Sequence, residues 1–219
     1  MIKVLKGSIS ETDIKLSEVI RYAGGGDEKV AEKAKKCISH LLPEFNCKAC
    51  YDEFFISADK EETDLGFLRV KSKDLAKNLD GCTKIVLFAA TLGAQTDRYL
   101  QKASLMSAVD ALMAQSAAAA AIEAWCDKIC NHISKENPNL FLRPRFSPGY
   151  GDLSLNIQPA ILSSLDCLRK IGLTSTKNLM LTPSKSVTAI VGISECDKRI
   201  KSGCAVCKNN GCIYKRSTK

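Results

Sequence analysis

The chain has 219 residues, a formal net charge of +8, 45% hydrophobic residues and only 6% aromatic ones. That is room for one large domain whose core is built mainly from aliphatic side chains and alanine. No apolar run approaches the roughly 20 residues a bilayer span requires, and Met1-Ile2-Lys3-Val4-Leu5-Lys6 lacks the apolar stretch and cleavage site of a secretory signal, so a cytoplasmic location is expected.

In chain order, residues 2–5 read as a short strand, and helices are predicted near 15–23 and 28–42. In the second helix Val30, Ala34, Cys37, Ile38, Leu41 and Leu42 recur at helical spacing, Asp27 is the candidate cap and Pro43 the stop. Phe54-Phe55-Ile56 and Leu65–Val70 look like strands, and Ser72 can cap a short helix through Leu79. Lys84–Ala90 is the clearest buried strand, ending at Thr91-Leu92-Gly93. A long helical region follows from about Ala94 to Ile133, broken near 103–106, with an alanine-rich centre over Ser116–Ala121 that allows close packing. Strand signals return near Leu140–Leu142, a helix near 157–169, and strand signals again near Leu179–Leu181 and Val187–Ile193. Strands and helices are interspersed without a regular alternation, which favours a mixed α/β or α+β domain over a doubly wound sheet.

Charge and cysteines narrow the function classes. Lys and Arg are scattered among acids, as in Glu28-Lys29 and Glu32-Lys33-Ala34-Lys35-Lys36; from Cys196 onward they are concentrated, with Asp197 the sole acid. That pattern favours an acidic protein partner over nucleic acid. Eleven cysteines without a secretion signal point to burial or metal binding rather than a disulfide framework. Cys37, Cys82, Cys126, Cys130 and Cys167 sit in apolar or helical patterns. Cys204-x2-Cys207-x4-Cys212, with Cys196 as a fourth thiolate, suits zinc or an iron–sulfur cluster, and Cys47-x2-Cys50 could complete such a site. The alternative is a reduced tail with no metal.

No glycine-rich turn after the first strand supports a dinucleotide site, and Ala23-Gly24-Gly25-Gly26-Asp27 follows a helix. His40 and His132 both fall in predicted helices and read as surface or packing residues. On the alanine-rich helix Glu123 and Asp127 share one face, while Asp110 points elsewhere. The most informative segment is Arg145-Phe146-Ser147-Pro148-Gly149-Tyr150-Gly151-Asp152: a fixed cation, a stiff Pro-Gly bend, an aromatic ring and a carboxylate. It is either a ligand wall or a solvated surface turn.

Arg145-Phe146-Ser147-Pro148-Gly149-Tyr150 resembles the Arg-x-(Ala/Ser)-Pro-Gly-Tyr loop of the activation domain of cobalamin-dependent methionine synthase, in its free-standing form. Gly151-Asp152, Gln158, the segment Pro183–Gly192 and Ala90-Thr91-Leu92-Gly93 ahead of the Glu123 helix are similar as well. The likeness covers roughly residues 80–195. It implies an α+β domain over residues 1–195, a twisted, largely antiparallel sheet packed by long helices, followed by a basic Cys-rich tail at 196–219. It also implies binding of S-adenosylmethionine, with Arg145 on its carboxylate, Glu123 on its ammonium or ribose, Ser147 and Gly149 meeting the adenine, and Tyr150 beside the reactive methyl. The activity implied is reductive methylation of cob(II)alamin held by a partner, either methionine synthase modules or another corrinoid protein. Flavodoxin or ferredoxin would be the acidic electron donor. The large enzyme's N-terminal aspartate has no assigned counterpart here, and its Pro-Ala-Cys-Pro stretch is replaced by Gly151-Asp152-Leu153-Ser154. Competing readings are a thiolate-ligated metal or redox module serving another corrinoid protein, and a basic nucleic-acid binder with a zinc knuckle.

Overall fold

A computed structural model describes residues 1–58 and 62–195. Cys196, Cys204, Cys207 and Cys212, and with them the expected metal site, lie outside the described residues. In chain order the elements are β1 (Lys3–Gly7), α1 (Leu16–Tyr22), α2 (Glu28–Leu41), β2 (Cys47–Phe55), β3 (Ser57–Ala58), β4 (Thr63–Asp64), β5 (Arg69–Val70), α3 (Lys73–Asn78) and β6 (Lys84–Thr91). They continue with α4 (Ala94–Met106), α5 (Ala108–Glu136), β7 (Phe141–Leu142), α6 (Gln158–Ser164), α7 (Cys167–Ile171), β8 (Thr174–Ser175), β9 (Leu181–Thr182) and β10 (Ser186–Ser194).

The main sheet has the order β1-β2-β6-β10-β7, and every neighbouring pair in it is antiparallel. This is the expected α+β architecture. The central strands β6 and β10 are buried on both faces, because α1, α2, α4 and α5 cover one side and α3, α6 and α7 the other. No described helix is long and apolar enough to cross a membrane.

α5 is the spine of the molecule. Its 29 residues make a rod of about 43 Å. Ala114, Ala117, Ala118, Ala120, Ala121 and Ala124 are buried along it, and without larger side chains its backbone can approach the strands closely. Trp125 fixes its position: the indole Nε1 donates to the Lys48 carbonyl at 3.1 Å. The ring also lies so close to Gly7 that a Cβ there would stand 2.8 Å from Cη2. Further along, Tyr51 of β2 donates its hydroxyl to Glu136 at 3.0 Å. From the opposite edge of the sheet, Arg145, just past β7, reaches the same helix. One helix meeting both edges requires the sheet to curl around it.

Local signals explain most boundaries. Asp27 accepts from the amides of Lys29 and Val30 to start α2, and Ser72 accepts from Leu75 to start α3. The break in the long helix comes at Ser107 rather than at 103–106. Ser107 adopts an extended backbone, accepts from the Asp110 amide at 3.0 Å and donates to its carboxylate at 2.6 Å, a Ser-x-x-acid cap that starts a new helix.

Four expectations need correction. The strand at 54–56 is the end of a longer one, Cys47–Phe55. The strand at 65–70 is instead two short strands around a turn, where Asp64 accepts from the Gly66 amide at 2.8 Å. The helix at 157–169 is split into α6 and α7, because Asp166 turns left-handed with φ 47°. Leu179 likewise lies in a turn, at φ 63°, so β9 begins only at Leu181 and pairs with β8, which the apolar pattern did not reveal.

Cys47 and Cys50 are both buried, Cys47 in the core on the α5 side and Cys50 in the core on the α7 side. Side chains alternate along a strand, so a three-residue spacing sends the two thiols to opposite faces. They cannot grip one metal together. Among the described residues no group of three or more His, Cys, Asp or Glu side chains could hold a metal ion.

Two outcomes test this packing. Gly7→Val drives a side chain into the Trp125 ring and is expected to cost about 1–3 kcal/mol, read as a lower urea midpoint. Asp13 has its carboxyl pushed from 3.8 down to about 2: burial opposes the shift, but the bonds from Lys128 and Ser10 outweigh it. The Asp13–Lys128 ion pair, at 2.8 Å, ties the segment before α1 to α5. Because the folded pKa is the lower one, this stabilisation is complete above the unfolded value and lost as pH falls toward 2. Asp13→Asn should therefore be less stable than the parent by about 1 kcal/mol at pH 5, with the difference vanishing near pH 2 in urea titrations.

Candidate functional site

Beyond β7 the chain stays beside β10 but gains a residue. Leu142 faces Ile193 and Phe146 faces Ile190, so four steps on the outer strand match three on β10. An extra residue in an antiparallel pair is a bulge, and it shifts the alternation of side chains beyond it. Its consequence here is chemical. Arg143 points to one face, where it donates to the Asp80 carbonyl at 3.0 Å. Arg145, two residues on, points to the other face, toward α5.

There Arg145 is shared between two carboxylates. Its Nη2 donates to Glu123 Oε2 at 2.7 Å and its Nη1 to Asp127 Oδ1 at 2.6 Å. Glu123 and Asp127 are one helical turn apart, which matches the span of a guanidinium fork. Arg145 is 25% exposed, whereas the two acids are 46% and 51% exposed. Beneath them Cys130 Sγ lies 3.9 Å from Nη1, and burial pushes the Cys126 and Cys130 thiols up. Burial also works against the charge on Arg145, but the Cys126 sulfur and the hydrogen bond to Asp127, with Cys130 and Glu123, outweigh it and push its pKa up. Since buried thiols stay protonated, we assign the holding charge to the two carboxylates.

Arg145, Glu123 and Asp127 form one wall of a cavity of about 100 Å³. Ala120 and Ala124 extend that wall, and Asp13, Lys15, Glu18 and Tyr22 line the rest. Both signs of charge line it. Asp13 is paired with Lys128 and Glu18 with Arg21, Arg145 is held by its two acids, and Lys15 is exposed. The Tyr22 phenol is pushed up, first by burial and then by the Glu123 charge. A larger cleft of about 240 Å³, between Lys48, Gly93, Arg98, Gly172 and Pro183, contains none of the expected ligand-binding residues, although Gly93 and Pro183 belong to segments of the family likeness.

Of the residues singled out in the sequence, Arg145 and Glu123 thus meet in one pocket. Ser147, Gly149 and Tyr150 are not among its lining residues; they form the turn immediately after Arg145 and Phe146. The Tyr150 amide donates to the Ser147 carbonyl at 3.1 Å across the Pro148-Gly149 bend, and Gly149 takes φ 85°, a region glycine enters without strain. Tyr150 is 63% exposed, with its ring edge-on to Phe146 at 6.3 Å. Asp152 serves the structure rather than the pocket. Its carboxylate accepts from the Ser72 hydroxyl and from the amides of Lys73 and Asp74 at 2.8 and 3.2 Å. It caps α3 from a distance and pins the turn. Gln158 is buried against Thr188, donating to its hydroxyl at 2.8 Å and accepting from it at 3.1 Å.

Asp13, Lys15, Glu18 and Tyr22 carried no signal of their own in the sequence, since a charged segment around a short helix reads as a solvated face. His132, expected as a surface or packing residue, lies beside the Tyr51 hydroxyl at 3.2 Å.

No protein-family model matches the chain, and no curated protein matches it. Among solved structures the chain is similar to the MetH reactivation domain bound to AdoHcy, with a TM-score of 0.64, 14% identity, and coverage of 92% of this chain and 81% of that one. The chain has the fold of that domain.

Proposed function

We propose that this chain binds S-adenosylmethionine at the Arg145 pocket and serves the reductive reactivation of a cobalamin-dependent methyltransferase, methionine synthase being the expected partner. The observation that carries this reading is Arg145 held between Glu123 and Asp127 at the mouth of the Ser147–Tyr150 turn, within a fold shared with a reactivation domain whose structure holds AdoHcy.

The physical fit is an exchange of ion pairs. An α-amino acid group carries one carboxylate and one ammonium. Its carboxylate takes the place of one protein carboxylate on Arg145, and the acid so released accepts the ammonium. Charge is conserved, and no group is left buried without a partner, the condition under which such an exchange avoids a large desolvation cost. The exposure of Glu123 and Asp127 lets either swing away. Asp13 and Glu18 are further N-terminal acids within the same lining.

A cavity of about 100 Å³ is too small for a whole nucleoside, since pockets for such ligands run to roughly 300 Å³ and more. The cavity takes the amino acid end, and the adenosyl group lies along the Ser147–Tyr150 rim. Ser147 and Gly149 offer backbone polar groups there. Tyr150 presents an aromatic face that favours a sulfonium, and its exposure leaves it open to a partner's cofactor. S-adenosylmethionine would supply the electrophilic methyl group, leaving as S-adenosylhomocysteine, and a partner's cobalamin reduced by one electron from an acidic carrier protein would be the acceptor. The chain's own part is to position donor and acceptor.

Calorimetric titration with S-adenosylmethionine tests the reading. The intact chain, alone or with its cobalamin partner, is expected to bind, and Arg145→Ala to bind roughly 10–100-fold more weakly, the loss typical of a charge-assisted contact. Tyr150→Ala should lower methyl transfer to the partner more than it lowers binding. Undetectable heat with the intact chain under both conditions overturns the proposal.

A further inference from the structure

The face of the sheet away from the candidate site holds two thiols in contact. Cys50 of β2 and Cys167 at the start of α7 are 117 residues apart in sequence, yet their Sγ atoms are 3.6 Å apart. Both are fully buried in the same apolar cluster. Methyl-donor binding at the Arg145 pocket makes no use of them, and their chemistry is independent of it.

The element that carries Cys167 is lightly held. α7 is five residues long and is bounded by two left-handed residues, Asp166 at φ 47° and Gly172 at φ 70°. For Asp166 that backbone is less favourable than it is for glycine. Only Cys167 and Ile171 of α7 are buried, while Leu168 is 65% exposed and the Arg169 side chain 84% exposed. Cys167 is therefore one of two anchors seating α7 on the sheet, and its sulfur rests directly on that of Cys50.

We propose that Cys50 and Cys167 are an oxidation site, joined by peroxide into a reversible disulfide that clamps α7 to β2. A disulfide needs the sulfurs at about 2.05 Å, so they must close by about 1.5 Å, a distance that side-chain rotation on so short a helix can supply. The closed thiol pair is unreactive as it stands: the hydrogen bond with Cys50, and then burial, push the Cys167 thiol up, and the thiolate is the reactive form. Reaction therefore waits on a transient lifting of α7.

The chemistry balances. One thiol gives up its proton and attacks a peroxide oxygen, becoming a sulfenic acid as water leaves. The second sulfur then displaces the hydroxyl of that sulfenic acid as a second water. Hydrogen peroxide takes up two electrons, one from each sulfur, and the products are one disulfide and two waters. A dithiol reductant reverses it.

The test uses the full chain, reduced and then exposed to hydrogen peroxide. Remaining thiols are alkylated under denaturing conditions, and the unreduced digest is mapped by mass spectrometry. The expected product links the Cys50 peptide to the Cys167 peptide. The oxidised protein should melt roughly 5–10 °C above the reduced one and return on treatment with dithiothreitol. Cys167→Ala and Cys50→Ala should each abolish both the link and the rise. The mapping needs only the unsubstituted chain, so a variant that fails to fold leaves the test intact. Recovery of Cys50 and Cys167 as alkylated thiols, their linkage to other cysteines, or a link that leaves the melting temperature unchanged overturns the proposal.

Discussion

A guanidinium drawn mostly out of water has to be matched by negative charge, and in this protein the match comes from two carboxylates one turn apart on the central helix. Arg145 belongs to the outermost, irregular strand of the sheet, whereas Glu123 and Asp127 belong to the helix around which the sheet curls. Their pairing closes the sheet edge onto the helix and at the same time builds a wall of the cavity. The bulge before Phe146 makes this possible. Without the extra residue, Arg145 would share the face of Arg143 and point into the opposite core.

The same pairing gives the pocket its chemical character. Asp13 and Glu18 each have a cation of their own while Glu123 and Asp127 share Arg145, so the cavity carries both signs of charge rather than a patch of one sign. Such a lining offers a partner to each end of a ligand that carries both charges on adjacent groups. The turn after Arg145 is fixed independently, by Asp152 capping α3. The pocket wall and the turn after Arg145 are thus held by different elements, the wall by α5 and the turn by the opposite helical layer.

Much of this was legible in the sequence, for identifiable reasons. The caps at Asp27 and Ser72, the buried run of β6 and the alanine stripe of α5 are local signals that survive tertiary context. Arg145 and Glu123 could be singled out because a Pro-Gly bend and an acid at the edge of an apolar helix are both uncommon. What could not be read is whatever depends on distant neighbours. The bulge is visible only against β10, and the left-handed turn at Asp166 leaves no mark in an apolar pattern that continues through it. Asp13, Lys15, Glu18 and Tyr22 become a pocket wall only because α1 folds back against α5. The Cys47-x2-Cys50 spacing misled, because in a strand it separates two thiols rather than joining them.

The proposed binding requires Arg145 to exchange one of its protein carboxylates for that of an amino acid ligand. The most direct measurement is a crystal structure of the chain grown with S-adenosylhomocysteine. The expected result is density for the ligand's amino acid end against Arg145, with Glu123 or Asp127 released toward its ammonium and the nucleoside along the Ser147–Tyr150 turn. A ligand seated instead in the cleft beside Lys48 and Arg98, with Arg145 still bound to both acids, would contradict it.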